Sequence, residues 1–534
     1  MPPALSASDV DDRRWWTLSV LCLSLLMIVM GNTVLNVALP TLVRELDATN
    51  SQLQWMVDAY SLVFAGLLFT GGALGDRFGR KGALQIGLAV FGLGSALAAL
   101  SSSPGQVIAC RALMGAAAAF VMPSTLSILT NVFPPRERAR AIGIWAGVAG
   151  AGGAIGPITS GWLLEHFWWG SVFFINIPVV VVALVAGRIL VPTSRDERKT
   201  PLDLAGALMS IVAVSSLVYG IIEAPTKGWT DGEILGAFAV FAVVFSLFAW
   251  WELRTERPML DLRFFQRRGF TGGSLAISLV FFGMFGMFFL LTQYLQLVKD
   301  YSALEAGVRT LPFAFTMMVV APMSARIAEK IGARATVSLG LFVAGVGQWV
   351  MAMNGVDTGY GLLVISLVVL STGMGLTMAP STASIMSSLP LAKAGVGSAM
   401  NDTNRELGGA LGVAVLGSIV TSRYVHSLHD AVAPLPPAVR SLAESSLGAA
   451  REIARQIGGP VGDRLSLAAR TGFSDAMSTA LRIGGVVAIA AAVLVWYVLP
   501  AGVAASEEQA MHGGQEVDLA DAEMPPTDDV AVLD

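Results

Sequence analysis

Gly72-Ala-Leu-Gly-Asp-Arg-Phe-Gly-Arg-Lys81 is a short, charged, glycine-rich stretch between two long apolar runs, and Ala325-Arg-Ile-Ala-Glu-Lys-Ile-Gly-Ala-Arg334 echoes it in the second half of the chain. Two more echoes follow in the same order: Met122-Pro-Ser-Thr-Leu-Ser-Ile-Leu129 with Ala379-Pro-Ser-Thr-Ala-Ser-Ile-Met386, and Gly152-Gly-Ala-Ile-Gly156 with Gly408-Gly-Ala-Leu-Gly412. Three echoes at one offset, about 255 residues, indicate an internal duplication. Both copies are predicted to run through the membrane in the same direction.

The composition around these repeats is that of an integral membrane protein. Of the 534 residues, 54% are hydrophobic and only 13% are charged, and the mean hydropathy is +0.67. Since a soluble domain carries roughly 25% charged residues, this chain needs lipid as its outer solvent. The predicted fold class is therefore an all-α membrane protein made of two parallel six-helix bundles with an inserted helix pair.

Apolar runs of roughly 20 residues or more are long enough to cross a bilayer. They predict about fourteen transmembrane helices, at 15–39, 54–74, 82–100, 107–129, 139–163, 169–191, 203–223, 234–252, 270–292, 305–327, 335–353, 360–388, 397–421 and 479–500. Loops after even-numbered helices are rich in Arg and Lys, whereas the odd loops at 101–106 and 354–359 have none. By the positive-inside rule, both termini are predicted to be cytoplasmic.

The duplication divides the chain into segments. We expect an N-terminal bundle at 1–191, a linker with the inserted helices seven and eight at 192–268, and a C-terminal bundle at 269–501. The second bundle contains a long extracytoplasmic loop, 422–478, which is either a surface insertion or a gating element. An acidic cytoplasmic tail at 502–534, without Lys or Arg, is predicted to be disordered. The two cysteines lie in apolar runs, so a disulfide framework is not expected.

Three local motifs have a physical rationale. The stretch after helix two is predicted to be a conformational latch, because its glycines allow a tight turn and its acid can pair with arginines; its residues are Gly72, Asp76, Arg77, Gly79, Arg80 and Lys81. Arg111, one turn before Gly115, costs about 2.5–3.5 kcal/mol inside a membrane helix and should face a polar cavity or snorkel to an interface. Helix five is kinked and closely packed by its proline and glycines, among them Gly152, Gly156, Pro157 and Gly161.

Together these motifs resemble the major facilitator superfamily, and within it the fourteen-helix branch of drug:proton antiporters. The segments Asn32-Thr-Val-Leu-Asn-Val-Ala-Leu-Pro40 and Gln54-Trp-Met-Val-Asp-Ala-Tyr60 add to the likeness. The resemblance implies export of amphipathic, often cationic drugs and antiseptics in exchange for protons, and the missing acids described below favour monocationic or neutral substrates. It also implies a bacterial cytoplasmic membrane, lipids as neighbours, no nucleic acid, a monomer, and no cofactor besides the proton gradient.

Buried carboxylates are the candidate proton carriers. Asp402 and Glu406 are four residues apart on helix thirteen and share a face, where a bound proton would compete with an organic cation. Arg405 offers an alternative, a static pair with Asp402. Asp58 is the third candidate, with an exposed hydrogen-bonding role as its alternative. Asn32 and Asn36 lie on one face of helix one and are expected to line the cavity.

One departure from the family pattern bears on coupling. The acid expected in helix one is Gly31 here, and an acid that some members carry in helix ten is Met317. Coupling must then use the remaining carboxylates or be weaker. A dedicated metabolite or lipid transporter with little coupling, and a membrane sensor or scaffold, therefore remain alternatives to a drug exporter. The sequence has no G-x-x-x-x-G-K-[ST] motif and no H-E-x-x-H motif, which disfavours an ATP-driven pump and a metalloenzyme.

Overall fold

The computed structural model describes residues 7–193, 203–255, 258, 260–389 and 394–500, and the regular elements in these ranges are all helical. The predicted tail at 502–534 lies outside them. The first half contains α1 (Ala7–Leu46), α2 (Asn50–Phe78), α3 (Arg80–Ala99), α4 (Pro104–Val132), α5 (Pro135–His166), α6 (Ser171–Phe174) and α7 (Asn176–Leu190). The inserted pair is α8 (Leu204–Lys227) and α9 (Gly232–Arg254). The second half contains α10 (Arg268–Gln293), α11 (Ala303–Arg309), α12 (Leu311–Ile331), α13 (Ala333–Met351), α14 (Tyr360–Ser387), α15 (Ala394–Val432), α16 (Pro437–Ser445), α17 (Leu447–Ile457) and α18 (Gly459–Val498).

Judged by length and composition, fewer helices qualify as membrane spans than the sequence predicted. In the described part of the chain, twelve helical segments are long and apolar enough to cross a membrane. Helices α5 and α13, which coincide with predicted helices five and eleven, are not among them. Many side chains of α5 lie outside the described set, and Arg334 and Gln348 lower the mean hydropathy of α13. The count of fourteen is therefore not confirmed.

Helix ends follow from local chemistry. A capping box starts α2, since the Thr49 side chain accepts from the Gln52 amide and the Gln52 side chain accepts from the Thr49 amide. A single residue, Gly79, separates α2 from α3, and its φ of 119° is one that side-chain-bearing residues rarely adopt. In the second half Gly332, with φ 85°, separates α12 from α13 in the same way. The duplicated latch stretch thus makes the same glycine turn twice.

The two halves also pack alike. Helix α1 packs on α5 and α10 packs on α15, while α4 contacts α2 and α3 as α14 contacts α12 and α13. The echoed glycines sit at matching contacts: a Cβ on Gly156 would lie 2.0 Å from the Thr33 hydroxyl of α1, and one on Gly412 would lie 2.1 Å from the Phe282 carbonyl of α10. Small residues let these helices approach closely.

The two helices of the inserted pair differ in their contacts with the rest of the protein. Helix α8 packs against α2 of the first half and α15 of the second, whereas α9 contacts chiefly α8. A small apolar cluster fills this junction, made of Leu62, Val218, Ile222, Ala410 and Ala414. Helix α8 therefore bridges the two halves.

The halves meet near the face away from the described chain ends, here called the opposite face. A Cβ on Gly161 of α5 would lie 2.5 Å from the Leu304 Cα, and Gln296 donates to the Val37 carbonyl at 2.8 Å. Burial lowers the pKa of Lys299 on this face, where its ammonium donates to two carbonyls of the following loop.

The predicted long loop folds onto the opposite face as α16, α17 and the start of α18. Arg451 of α17 pairs with Asp300 at 2.6 Å, and Arg470 of α18 lies 3.4 Å from the same carboxylate. On its other side, α17 reaches the first half, because Gly448 packs directly on Val43 of α1. Within this loop, Ser446 separates α16 from α17 and caps α17.

Candidate functional site

Arg111 lies buried where α1, α2 and α4 meet. Its Nε donates to the Met56 carbonyl at 2.9 Å and one terminal nitrogen donates to the Gly31 carbonyl at 3.1 Å. Its guanidinium carbon is 4.3 Å from the centre of the Tyr60 ring. Because the side chain is 0% exposed, the snorkelling alternative is wrong.

The missing acid of helix one has a structural counterpart in this contact. Gly31 meets Arg111 with its backbone carbonyl, and a Cβ added at Gly31 would instead meet Phe91 at 3.0 Å and Met114 at 3.9 Å. A side chain here would therefore start out towards the packed core between α3 and α4. The Gly31 carbonyl therefore accepts a hydrogen bond from Arg111 at the position where the family resemblance leads us to expect a carboxylate.

Glu406 lies at the boundary between the two halves. It is on α15, and its carboxylate interacts with the Ser61 hydroxyl of α2. The charges of Arg405 and Asp402 on its own helix and of Arg111 across the boundary act on it. Its Oε2 is buried without a hydrogen-bond partner in the described part of the protein. A carboxyl in this position can exchange a proton for another cation.

Asp402 has a different environment, although it is one turn from Glu406 as predicted. Its carboxylate lies 3.6 Å from Arg405, and its side chain is 17% exposed. The Arg405 guanidinium in turn lies 4.8 Å from the centre of the Phe281 ring. The intrahelical pair considered from the sequence is therefore formed, and Glu406 is the carboxylate of the two that faces the first half.

Asp58 is 0% exposed, and neither of its oxygens has a hydrogen-bond partner among the described residues. Its helical neighbours one turn away, Trp55 and Leu62, pack in the cluster with α8 and α15. The exposed hydrogen-bonding role considered as the alternative for Asp58 is therefore wrong, because α8 covers the face of α2 on which it lies. Sequence periodicity alone does not show which helix covers a given face.

The remaining lining candidates are less closely joined. Asn36 is half-buried in α1, and the side chain of Asn32 is outside the described set. On the second half, Phe288 and Phe313 make an edge-to-face pair with ring centres 4.9 Å apart. Phe281 and Phe285 pack together against α15. These rings support α10, α12 and α15 beside Glu406.

The glycine motif of α5 makes contacts in both halves. Gly152 and Gly156 pack on α1, and the Ser160 hydroxyl donates to the Val34 carbonyl at 2.8 Å. The next residue, Gly161, packs on α11. Gly307 of α11 approaches the Pro157 carbonyl so closely that a Cβ on it would lie 2.6 Å from that oxygen. This helix is therefore in contact with both bundles.

The latch is only partly described. Gly72 packs on Pro123 of α4, Gly79 makes the turn, and the Lys81 ammonium donates to the Arg188 carbonyl at 2.8 Å. Arg80 is half-buried at the start of α3. The side chains of Asp76 and Arg77 lie outside the described set, so their predicted charge pairing stays a prediction.

Two residues were missed from the sequence: Tyr60, which packs on Arg111, and Ser61, which joins the first half to Glu406 of the second. Tyr60 is fully buried against Arg111, and Ser61 is 3% exposed beside Glu406. A signal was present, since Ser61 follows Asp58 by three residues and so lies on the same face. Within the described residues there is no cluster of three or more His, Cys, Asp or Glu side chains placed to hold a metal ion.

Gly115 gives a first test of this packing. A Cβ at this position would lie 2.4 Å from the Tyr60 backbone oxygen, which cannot move without shifting α2. Gly115→Ala is therefore expected to destabilise the protein by about 1–3 kcal/mol, measured as a lower midpoint of thermal unfolding in detergent. Gly105→Ala on the same helix is the control, because a Cβ there meets nothing within 4 Å. Equal midpoints for the two variants would contradict the contact.

Comparison with known proteins places the chain in a family. The family model described as Major Facilitator Superfamily matches residues 21–413. The multidrug efflux pump LfrA of Mycolicibacterium smegmatis is 36% identical over 491 residues, covering 92% of this chain and 97% of that protein. The tetracenomycin C resistance and export protein of Streptomyces glaucescens is 33% identical, covering 92% and 93%. The methyl viologen resistance protein SmvA of Salmonella typhimurium is 34% identical, covering 91% and 98%.

Solved structures agree on the fold. A bacterial homologue of the human lysosomal transporter Spinster, in an inward-facing and unoccupied conformation, matches with a TM-score of 0.64 at 17% identity, over 91% of this chain and 98% of that one. A peptide transporter in complex with sulfate matches with a TM-score of 0.60 at 16% identity, over 91% and 96%. The duplicated helical halves, the sequence relatives and these structures lead to one assignment. The chain belongs to the major facilitator superfamily.

Proposed function

We propose that the protein exports amphipathic drugs across the cytoplasmic membrane in exchange for protons, as a secondary transporter and not as an enzyme. The family membership and the drug-efflux and resistance names of its relatives support the drug part. The proposal of proton exchange rests on Glu406, because its carboxyl lies on one half and interacts with Ser61 of the other. Movement of the halves therefore changes the surroundings of this carboxyl.

The exchange follows from the cost of burying charge. An ionised carboxylate away from water is unfavourable unless a proton or another cation accompanies it. Glu406 can therefore hold a proton or face a cationic drug, and binding of one favours release of the other. Arg111 assists the release, since its positive charge acts on Glu406 from across the boundary between the halves.

The substrate class follows from the number of acids. Gly31 and Met317 cannot carry charge, and Asp402 is already paired with Arg405. Of the two candidate acids of α15, this leaves Glu406 to face a bound cation, while Asp58 is enclosed under α8. One available acid suits monocationic or neutral amphipathic drugs. No cofactor is needed in this scheme, since the proton gradient drives export with both termini in the cytoplasm.

The test is substrate-driven proton movement in proteoliposomes that contain the full-length protein and an internal pH dye. An imposed gradient of ethidium, a monocation, is expected to move protons in the opposite direction, and protein-free liposomes should show no response. Several unrelated monocations should do the same if the protein handles many drugs. Flux of substrate without proton movement would contradict the coupling, and binding of ethidium without flux would indicate a sensor.

A further inference from the structure

A polar stripe runs down one face of α2, on the side that α8 and α15 cover. It consists of Ser51, Gln54, Asp58 and Ser61, each three or four residues from the next, so their side chains follow one another along the helix. At a rise of 1.5 Å per residue, the steps are about 4.5–6 Å. Hydroxyl and carboxyl groups at this spacing can pass a proton through bridging water, whereas the Gln54 amide can only hold such a water in place.

The inner end of the stripe borders Glu406, the proposed coupling carboxyl. Ser61 interacts with Glu406, and the next acid outward is Asp58, which is fully buried with no partner for either oxygen in the described residues. Buried polar atoms are normally satisfied, so an acid left in this condition calls for an explanation. A proton-carrying role would provide one.

The outer end is formed by the inserted pair. Glu223 of α8 accepts from the Ser51 hydroxyl at 2.5 Å and from the Trp55 indole at 3.3 Å. Its carboxylate is half-buried near the end of α8, so it borders the opposite face. Between the two acids, Gln54 is 1% exposed, packs on Gly417 of α15, and leaves its Oε1 without a partner in the described part.

The walls of this path are apolar and closely packed. The cluster around Leu62 and Val218 joins α2, α8 and α15, and the Ser418 hydroxyl of α15 donates to the Ile221 carbonyl of α8 at 2.5 Å. These contacts leave no passage for a drug-sized molecule along the stripe. A proton route along the stripe would therefore be separate from the path of the drug.

We propose that protons pass between Glu406 and the opposite face along this stripe, with Asp58 as a relay and Glu223 of α8 as the outer acceptor. The proposal rests on the proposed proton exchange and gives the inserted pair a part in it. Each transfer breaks an O–H bond on one carboxyl or water and forms one on the next, so no other reactant is consumed. The charged groups that act on the inner end are Arg405, Asp402 and Arg111, whereas neutral donors contact Glu223.

Glu223→Gln is the decisive variant. Glutamine keeps an oxygen acceptor for Ser51 and Trp55 but cannot carry the proton, so ethidium-driven proton movement in proteoliposomes is expected to slow by about tenfold or more. Ethidium affinity and thermal stability of the purified protein should stay at wild-type values, since packing is kept. Glu223→Asp should restore a large part of the rate.

Glu233→Gln is the matched control, because this carboxylate lies on the other inserted helix near the same face and pairs with Lys227 away from the stripe. It should leave proton movement unchanged. A wild-type rate in Glu223→Gln, or an equal loss in both variants, would overturn the proposed route while leaving drug:proton exchange itself intact. If the wild-type protein moves no protons at all, the proposed function is wrong and the route with it.

Discussion

Glu406→Gln is expected to abolish substrate-driven proton movement, a loss of about 100-fold or more. Glutamine has nearly the same shape and still reaches Ser61, but it cannot release a proton to a competing cation. The measurement is the response of the internal pH dye to an ethidium gradient, with ethidium binding followed separately. Binding of the monocation should weaken as well, because the amide carries no charge.

Asp402→Asn is the comparison one turn earlier on α15. Asp402 already pairs with Arg405 at 3.6 Å, so its neutralisation should reduce proton movement much less than Glu406→Gln does. If Asp402→Asn stops proton movement and Glu406→Gln retains it, the assignment of the coupling acid is wrong and passes to Asp402. Equal, small effects of both variants would direct attention to Asp58 instead.

Much of the fold was predictable because it repeats a local pattern. The three sequence echoes correspond to equivalent contacts in the two halves, and Gly79 and Gly332 make the same one-residue turn. Such features depend on residues that are close in sequence and on glycines, which lack a Cβ. Both can be read directly from the sequence. The positions of Asp402 and Glu406 on one helical face follow from the same local reasoning.

The number of spans was less predictable, since Arg334 and Gln348 lower the mean hydropathy of α13 and so obscure it as a membrane-spanning helix. The hydrogen-bond partners of the buried charged side chains could not be predicted from the sequence either. Arg111 donates to carbonyls of residues 31 and 56, which are distant in sequence, and no side-chain pattern identifies a backbone acceptor. The burial of Asp58 depends on α8, an inserted helix with no counterpart in the repeat.

The replacement of the usual helix-one acid has a consequence for coupling. An ion pair between Arg111 and an acid of the first half would respond only to structural changes within that half. Here Arg111 binds carbonyls of the first half, while its charge acts on Glu406 of the second. If Glu406 exchanges protons as proposed, we therefore expect its affinity for a proton to change when the contact between the two halves changes.

A disulfide between Val43→Cys and Gly448→Cys is expected to stop transport. The ideal Cβ at Gly448 lies 3.2 Å from the Val43 Cβ, near the roughly 3.5–4.5 Å that a disulfide requires. Helix α17 is held to the second half through Arg451 and Asp300, so the new bond joins the two halves at the opposite face. Cys22 and Cys110 are first replaced by Ala, and ethidium flux is measured after oxidation and again after reduction.

The matched control joins two positions inside the second half. Gly472→Cys with Ser427→Cys has a Cβ separation of 3.4 Å between α18 and α15, so it forms a comparable bond that does not cross the boundary between the halves. This variant should transport equally well oxidised and reduced, whereas the oxidised 43–448 variant should recover only on reduction. Since Gly448 packs directly on α1, the loop at 422–478 must separate from α1 whenever the opposite face opens. Full transport by the oxidised 43–448 variant would show that α17 is a surface insertion that the moving halves do not need to release.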